Sequence, residues 1–319
     1  MSRFKMFIEY EGTRYSGWQK QPGQSSTKTI QGAILKAAEE IFKKERIDLQ
    51  GSGRTDSGVH ALCQVAHLDV KTMLAPEIIK MKFNDLLPHD INILEIEKMH
   101  PKFHARHDAI KRSYLYQIST RRTAFGKNYV WWIKDKLDFT AMERASKVFI
   151  GMHDFSSFSD QDPDEKSSRV LIEDIQFKKE GNLILVRIIA SHFLWKMVRR
   201  IIGVLVETGR GKLTDADLKI FLLTSTSAHP SNSVDIGVVA SSRSDRFLMC
   251  SRSPGFPEAS TDRRTARPSG RPASSVDART RANRARVSAV VLSISDARIE
   301  KDTPPRSRNA ASRTMIAVA

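Results

Sequence analysis

The sequence contains little cysteine and no long run of apolar residues. Its 319 residues include two cysteines, Cys63 and Cys250, which are too few for a disulfide framework and are not in zinc-ligand spacing. The most apolar stretch, residues 184–206, contains Arg187 and Lys196, which a membrane span would not accept. No cleavable apolar segment stands at the N-terminus. We therefore expect a cytoplasmic protein with no signal peptide and no membrane contact.

Positive charge is abundant and unevenly distributed. Lys and Arg number 52 against 36 Asp and Glu, a formal net charge of +16, which favours a polyanionic partner such as nucleic acid. Residues 225–319 contain 15 Arg but a single Lys and are rich in Ser and Pro, a composition typical of disorder. This Arg-rich and Ser-rich tail has two open explanations. It is either an out-of-frame translation beginning near Thr224 or a genuine disordered extension.

Residues 1–224 alternate between strand and helix patterns. Apolar and β-prone runs predict strands, whereas apolar residues at helical spacing predict helices. The predicted strands cover 4–10, 64–70, 91–96, 113–119, 170–177 and 183–190; the predicted helices cover 30–41, 75–86, 139–149 and 193–207, with a last helix starting near 214. This order predicts an α+β fold of two ferredoxin-like half-domains, residues 1–103 and 104–224, each an antiparallel sheet backed by helices.

The segment Gly51–Ala61 holds the densest group of chemically capable residues. It is a glycine-rich loop before a predicted strand, and glycines let a ligand approach the backbone. Arg54 and Asp56 would be displayed toward such a ligand. Asp and Gly are also ordinary turn residues, and the spacing matches neither phosphate-binding nor dinucleotide-binding loops. The loop is thus a candidate site, with a simple turn as the alternative.

The stretch Arg54–Ala61 resembles the active-site loop of the tRNA pseudouridine synthase A family. Other segments resemble that family in the same order along the chain. They are Phe7–Gln19 (first strand and loop), Ile30–Gln31 (first helix), Phe103–Arg106 with Lys111–Tyr116 (central strand), Gly151–Phe158 (a loop of the second half), and Phe193 with Met197–Gly203 (late helix). The resemblance spans residues 4 to about 212.

The resemblance implies isomerisation of uridine to pseudouridine in the anticodon stem-loop of tRNA, at nucleotides 38 to 40. It also implies a homodimer that uses neither metal nor cofactor, with a catalytic cleft between the two half-domains. Asp56 would be the catalytic carboxylate, attacking the ribose or the uracil or removing a ribose proton. Arg199 would be the pocket arginine that keeps Asp56 charged. Tyr114 would stack on the target base and help to remove the C5 proton.

Six basic residues are candidate RNA contacts. Arg54 matches the arginine of the family's loop and would help to hold the extruded nucleotide, because a base paired in a stem hides its glycosidic bond. The others would contact phosphates, although each could equally be a solvated charge. They are Arg14, Lys20, Arg106, Lys111 and Arg112.

Histidines raise the possibility of a metal site. His100, His104 and His107 have spacings that could place imidazoles on one helical face, but Pro101 disfavours a helix there. We expect these three histidines to be structural or RNA-facing, and a metal-dependent hydrolase is the least favoured function. His60 and His67 are too isolated to indicate a metal, and Trp131-Trp132 is expected in a core or a dimer surface.

The final strand of the family is not recognisable after Leu223, where residues 225–250 stand in its place. A missing strand would leave a sheet edge unfilled beside the pocket. The alternative function is therefore a noncatalytic tRNA-binding protein with the same fold, inactive because of its altered C-terminus.

Overall fold

The computed structural model describes residues 1–21, 28–43, 45–160, 167–223 and 248–249. The prediction of a disordered tail over residues 225–319 lies outside these residues, apart from Leu248 and Met249. Among the described helices, none combines the length and apolar character that crossing a membrane requires.

A four-stranded antiparallel sheet forms the first half. Its elements are β1 (Ser2–Tyr10), α1 (Ile30–Phe42), β2 (Asp48–Gly51), β3 (Ala61–Val70), α2 (Pro76–Leu86) and β4 (Ile91–Met99). The strand order is β2-β3-β1-β4, and all neighbours are antiparallel. A chain path of strand, helix, two strands, helix and strand with this order is the ferredoxin-like motif that the sequence predicted.

The first helix illustrates how the sequence determines this half. The side chain of Thr29 accepts a hydrogen bond from the backbone N–H of Gly32 at 3.2 Å, which satisfies one of the donors left open at a helix start. Ile30 and Ile34 are fully buried against alternate residues of β1, including Met6. The predicted N-cap and apolar stripe are both confirmed.

The second half repeats the same connectivity. Its elements are β5 (Arg112–Ser119), β6 (Trp131–Trp132), α3 (Phe139–Ser146), β7 (Gly151–Asp154), β8 (Arg169–Glu180), β9 (Leu183–Ala190), α4 (Met197–Gly209), α5 (Asp215–Leu223) and β10 (Leu248–Met249). The path through the sheet is β10-β5-β9-β8-β7, with antiparallel neighbours, and β6 pairs with β5 in parallel. Without β6 and β7, the order β8-β9-β5-β10 reproduces that of the first sheet.

Several predicted boundaries were wrong for identifiable reasons. The helix predicted from Phe193 begins at Met197, because Lys196 adopts a left-handed backbone with φ of 63°. The helix predicted to reach Phe149 ends at Ser146, and a 3-10 turn follows it. The short strands β2, β6 and β7 were not predicted, since two to four residues show no periodicity.

The last strand corrects the expectation of an unfilled sheet edge. Leu248 and Met249 pair with Leu115 and Tyr114 of β5, at the position where the sequence analysis predicted no strand. The fourth strand of the second half is therefore present, although it is only two residues long.

Two residues connect the hydrophobic cores of the halves. Val59, in the loop of the first half that contains Asp56, is buried in the core of the second sheet. Tyr114 of β5 packs against both cores. The loop that contains Asp56 therefore lies at the seam between the two sheets. The division after residue 103 stays a prediction, and Ala105 still packs on the back of the first sheet.

Candidate active site

The loop of Asp56 joins β2 to β3 and is fixed at its start by a buried glutamine. Gln64 has no exposed surface. Its side chain accepts a hydrogen bond from the Ser52 hydroxyl at 3.1 Å and donates one to the Gly53 carbonyl at 2.7 Å. Two consecutive loop residues are thus held by one side chain, so that the loop leaves β2 in a defined direction.

The centre of the loop packs directly on the segment after β1. The N–H of Trp18 donates to the Thr55 carbonyl at 3.0 Å, and the hydroxyls of Thr55 and Tyr10 are 2.9 Å apart. Gly17 has φ of +104°, and a Cβ on it would lie 2.4 Å from the Thr55 carbonyl oxygen. Only glycine fits this close approach. The residue before Asp56 is therefore held by backbone and side-chain contacts together.

The end of the loop is anchored across the seam by His60. This residue is almost completely buried, and its Nδ1 accepts a hydrogen bond from the Gly12 N–H at 3.1 Å. Nε2 therefore carries the proton and donates to the Asn128 carbonyl, 3.0 Å away. The ring also lies 4.9 Å from that of Tyr129. Both ring nitrogens of His60 thus contact other groups of the protein and anchor the end of the loop.

Asp56 and Arg199 meet at this seam. Oδ2 of Asp56 lies 3.5 Å from Nη2 of Arg199, and the two side chains retain 37% and 21% of their exposure. Arg199 is in the first turn of α4, in the second half, whereas Asp56 belongs to the first. A guanidinium at this distance attracts the carboxylate and orients it, and the remaining exposure leaves the carboxylate accessible to a ligand.

Tyr114 is the third residue that the sequence associated with this site. Its ring packs edge-on against Phe193, with centroids 4.7 Å apart and planes at 75°. Burial raises the pKa of Tyr114 well above its usual value, and the negative charge of Asp56 raises it further. In the substrate-free protein the phenol is therefore neutral at physiological pH.

The basic residues differ in how strongly the protein itself engages them. Arg112 donates to the carbonyls of Ser191 at 2.7 Å and Ser52 at 2.9 Å, which joins the two halves. Lys111 pairs with Glu173. Arg14 pairs with Asp90 at 3.0 Å but is largely exposed, and the side chains of Arg54, Lys20 and Arg106 are exposed as well.

The three clustered histidines have structural contacts. Nδ1 of His100 accepts from the N–H of Lys102, and Nδ1 of His104 accepts from that of Arg106, both at 3.2 Å. The rings of His104 and His107 lie 4.2 Å apart. These nitrogen atoms accept hydrogen bonds from backbone N–H groups of local turns, and the choice between a structural and an RNA-facing role stays open.

His67 is less isolated than its sequence position indicated. It lies near Asp48 and Asp69, with one ligand-type atom of each within 4.8 Å of the others. However, Arg3 binds both carboxylate oxygens of Asp69, at 2.7 and 2.5 Å. Burial and then the Arg3 charge lower the pKa of His67. Arg3 already supplies the positive charge in this cluster, which makes it a poor cation site.

The ion pairs of Asp160 around the start of α4 were not predicted from the sequence. Asp160 contacts both Lys196 and Arg200. Arg200 directly follows Arg199 in the chain. The signal was present only as an acidic residue after the Gly151–Phe158 motif, which nothing in the sequence connected with α4. The buried support residue Gln64 was missed for the same reason.

Two ferredoxin-like halves that meet at Asp56 and Arg199 agree with the class that the family comparison identifies, the tRNA pseudouridine synthases. The family model described as "tRNA pseudouridine synthase" matches residues 6–108 and 145–235. The second matched range ends at residue 235, beyond residue 212, where the recognisable motifs of the sequence end.

Individual relatives agree with the family match. "tRNA pseudouridine synthase A 2" of Clostridium tetani is 40% identical over 220 residues, covering 68% of this chain and 88% of the relative. "tRNA pseudouridine synthase A" of Rhodopseudomonas palustris is 41% identical over 221 residues, with 68% and 88% covered. The corresponding protein of Thermodesulfovibrio yellowstonii is 38% identical over 226 residues, with 67% and 87% covered. The chain therefore belongs to the tRNA pseudouridine synthase A family.

Proposed function

We propose that this protein converts uridine to pseudouridine in tRNA, in the anticodon stem-loop at nucleotides 38 to 40. The observation that carries the proposal is the pairing of Asp56 with Arg199 at 3.5 Å across the seam between the halves. Membership of the family supports the reaction and the class of substrate. The position within tRNA rests on the family resemblance of the sequence.

The reaction breaks the bond between N1 of uracil and C1′ of ribose, turns the base and joins C5 to C1′. It is an isomerisation: C5 loses a proton and N1 gains one, so that no atom is gained or lost overall. In the proposed mechanism Asp56 is the anionic catalytic residue. It attacks C1′ or the uracil, or removes a ribose proton. Arg199 keeps the carboxylate charged and oriented during these steps.

Tyr114 would provide the surface on which the target uracil stacks. Its ring is held in place by Phe193 and by both hydrophobic cores. The raised pKa of Tyr114 keeps the phenol protonated before substrate binds. We therefore assign it stacking and hydrogen-bond donation, while help with the C5 proton would require a change in ionisation on binding.

Binding of the tRNA backbone would fall to exposed cations around the seam. Arg54, Arg14, Lys20 and Arg106 have exposed side chains and are proposed to contact phosphates. Lys111 and Arg112 stay candidates, although protein groups already engage their charged ends. These contacts would offset the few kcal/mol that extrusion of a paired base costs.

Three further features complete the proposal. The protein would act as a homodimer in the cytoplasm, and residues 1–103 and 104–224 would be its half-domains. Light scattering of the purified protein tests the dimer. A mass equal to one chain, 36.0 kDa, would contradict it.

The decisive experiment uses the full chain and tRNA transcripts labelled with tritium at C5 of uridine. Isomerisation releases the tritium to water, and we expect release from a transcript with uridine at positions 38 to 40. A matched transcript with cytidine at those three positions serves as control and should release none. Equal release from both transcripts would contradict the proposed site specificity.

The noncatalytic alternative predicts tRNA binding without tritium release from any transcript. It was motivated by the altered C-terminus, yet β10 occupies the sheet edge beside Tyr114. This pairing favours the enzymatic function, because one wall of the site is not missing.

A further inference from the structure

The start of α4 concentrates positive charge in an unfavourable place. Lys196 is the N-cap, and Arg199 and Arg200 are in the first turn. The N-terminus of a helix carries a partial positive charge, so cations there are disfavoured. No side chain caps the helix, and no acidic residue stands in its first turn. The negative charge has to come from elsewhere in the chain.

Asp160 supplies that charge from the segment after β7. One carboxylate oxygen contacts Nζ of Lys196 and the other contacts Nη2 of Arg200. The backbone N–H of Asp160 donates to the carbonyl of Trp195 at 3.4 Å. Burial alone would raise the pKa of Asp160, but its hydrogen bonds and ion pairs with the two cations outweigh this effect and lower it. The carboxylate is thus ionised and engaged on both oxygens.

The conformation of Lys196 depends on such a contact. Its φ of 63° is in the left-handed region, which costs energy for any residue with a Cβ. The same residue lies in the short turn between Phe193, the neighbour of Tyr114, and the helix that contains Arg199. A relaxed Lys196 would therefore shift both sides of the site.

We propose that Asp160 is a positioning residue for the isomerase, which fixes the first turn of α4 so that Arg199 faces Asp56. By engaging Lys196 and Arg200, Asp160 leaves Arg199 as the cation for Asp56. Successive helical residues point about 100° apart, so Arg199 and Arg200 serve two different carboxylates from adjacent positions. The inference rests on the proposed function, because it assigns Asp160 a role in that reaction.

The first test is Asp160→Asn, which keeps the size of the side chain and removes its charge. We expect the single-turnover rate constant to fall roughly 10-fold to 100-fold, with KM changed by less than about 3-fold, because the change acts on transition-state stabilisation. Asp160→Glu restores the charge and should recover part of the rate. The control is Asp135→Asn, which removes a carboxylate from Arg210 at the opposite end of α4, 2.8 Å away. It should retain the parent rate.

A second variant tests the proposed cause. Glycine adopts the left-handed conformation without strain, so Lys196→Gly added to Asp160→Asn should raise the rate above that of Asp160→Asn alone. In an Arg199→Lys background, Asp160→Asn should lower the rate less than it does in the parent, because residues that act through one another are not additive. Circular dichroism and unfolding midpoints identify any variant that has not folded. If Asp160→Asn does not fold, Lys196→Gly is tested in its place.

The outcomes separate the two proposals. An inactive parent protein overturns the proposed function. An active parent with a normal Asp160→Asn variant overturns the role of Asp160 alone. A rate loss that is equal in the Arg199→Lys background, or a loss confined to KM, also overturns it, since Asp160 would then act on stability or on RNA binding.

Discussion

Nη2 of Arg112 lies 2.9 Å from the carbonyl oxygen of Ser52, so that a side chain of the second sheet holds the start of the loop that contains Asp56. Nη1 of the same guanidinium binds the Ser191 carbonyl at the end of β9. A charged, partly buried side chain with two such acceptors is a clamp between the halves.

The clamp predicts a stability effect for Arg112→Ala. We expect the free energy of unfolding to fall by about 2 kcal/mol, because the charge-assisted hydrogen bonds to the carbonyls of Ser191, Ser52 and Arg106 are lost. Arg106→Ala, on an exposed neighbour, should change it by less than about 0.5 kcal/mol. Urea denaturation of both variants measures the difference. The salt dependence of tRNA affinity should be flatter for Arg106→Ala and unchanged for Arg112→Ala. The opposite pattern would make Arg112 the phosphate contact.

Asp56→Asn should separate chemistry from binding. We expect the rate of pseudouridine formation to fall by roughly 1,000-fold or more, since the amide is neither an anion nor a base. The Kd for tRNA should stay within about 3-fold, because basic residues hold the backbone. Tritium release and filter binding provide the two measurements. Asp135→Asn, which removes the carboxylate beside Arg210, is the control and should keep the parent rate. An Asp56→Asn rate within about 10-fold of the parent would contradict the catalytic role of Asp56.

The raised pKa of Tyr114 predicts how stability changes in alkaline solution. The unfolded chain loses the phenolic proton near pH 10, whereas the folded protein keeps it to higher pH. The stabilisation is therefore complete below about pH 10 and is lost as pH rises through the folded pKa. Unfolding midpoints at pH 8 and above pH 10 should show a smaller loss in Tyr114→Phe than in the parent. An identical loss in both proteins would contradict the pKa shift.

Two glycines offer a matched test of the loop. Both have positive φ, but a Cβ on Gly17 would lie 2.4 Å from the Thr55 carbonyl oxygen, whereas a Cβ on Gly58 meets nothing within 4 Å. Gly58→Ala should cost about 1 kcal/mol of stability from strain alone. Gly17→Ala should cost about 3 kcal/mol or more and should also lower the rate, because the backbone next to Asp56 must move. Equal effects on denaturation midpoint and rate would contradict the role of close packing.

Much of the fold follows from the sequence because its signals are local. The N-cap Thr29 and the apolar stripe of α1 are visible within one window, and the alternation of β3 is visible within seven residues. The start of α4 is not local. Lys196, the residue before α4, has a left-handed backbone and contacts Asp160, which lies 36 positions earlier. Periodicity shows neither feature, and it placed the helix start four residues too early.

The residues of the site could be predicted only where they belong to a recognisable sequence motif. Asp56, Tyr114 and Arg199 belong to segments that resemble the family, and the structure brings them to one seam. By contrast, Arg112 is a cation at a strand start, and the sequence does not distinguish a phosphate contact from a clamp on carbonyls. The strand at Leu248 was missed because two residues in a Ser-rich and Arg-rich context carry no pattern of their own.

The repeated path of the chain has a consequence for where chemistry can occur. Asp56 belongs to the first ferredoxin-like motif, whereas Arg199 and Tyr114 belong to the second. An isolated half would contain either Asp56 or the pair of Arg199 and Tyr114, but not all three. Joining the two in a single polypeptide gives the pocket a fixed stoichiometry, so that every molecule that completes folding contains one acid and one arginine, already matched.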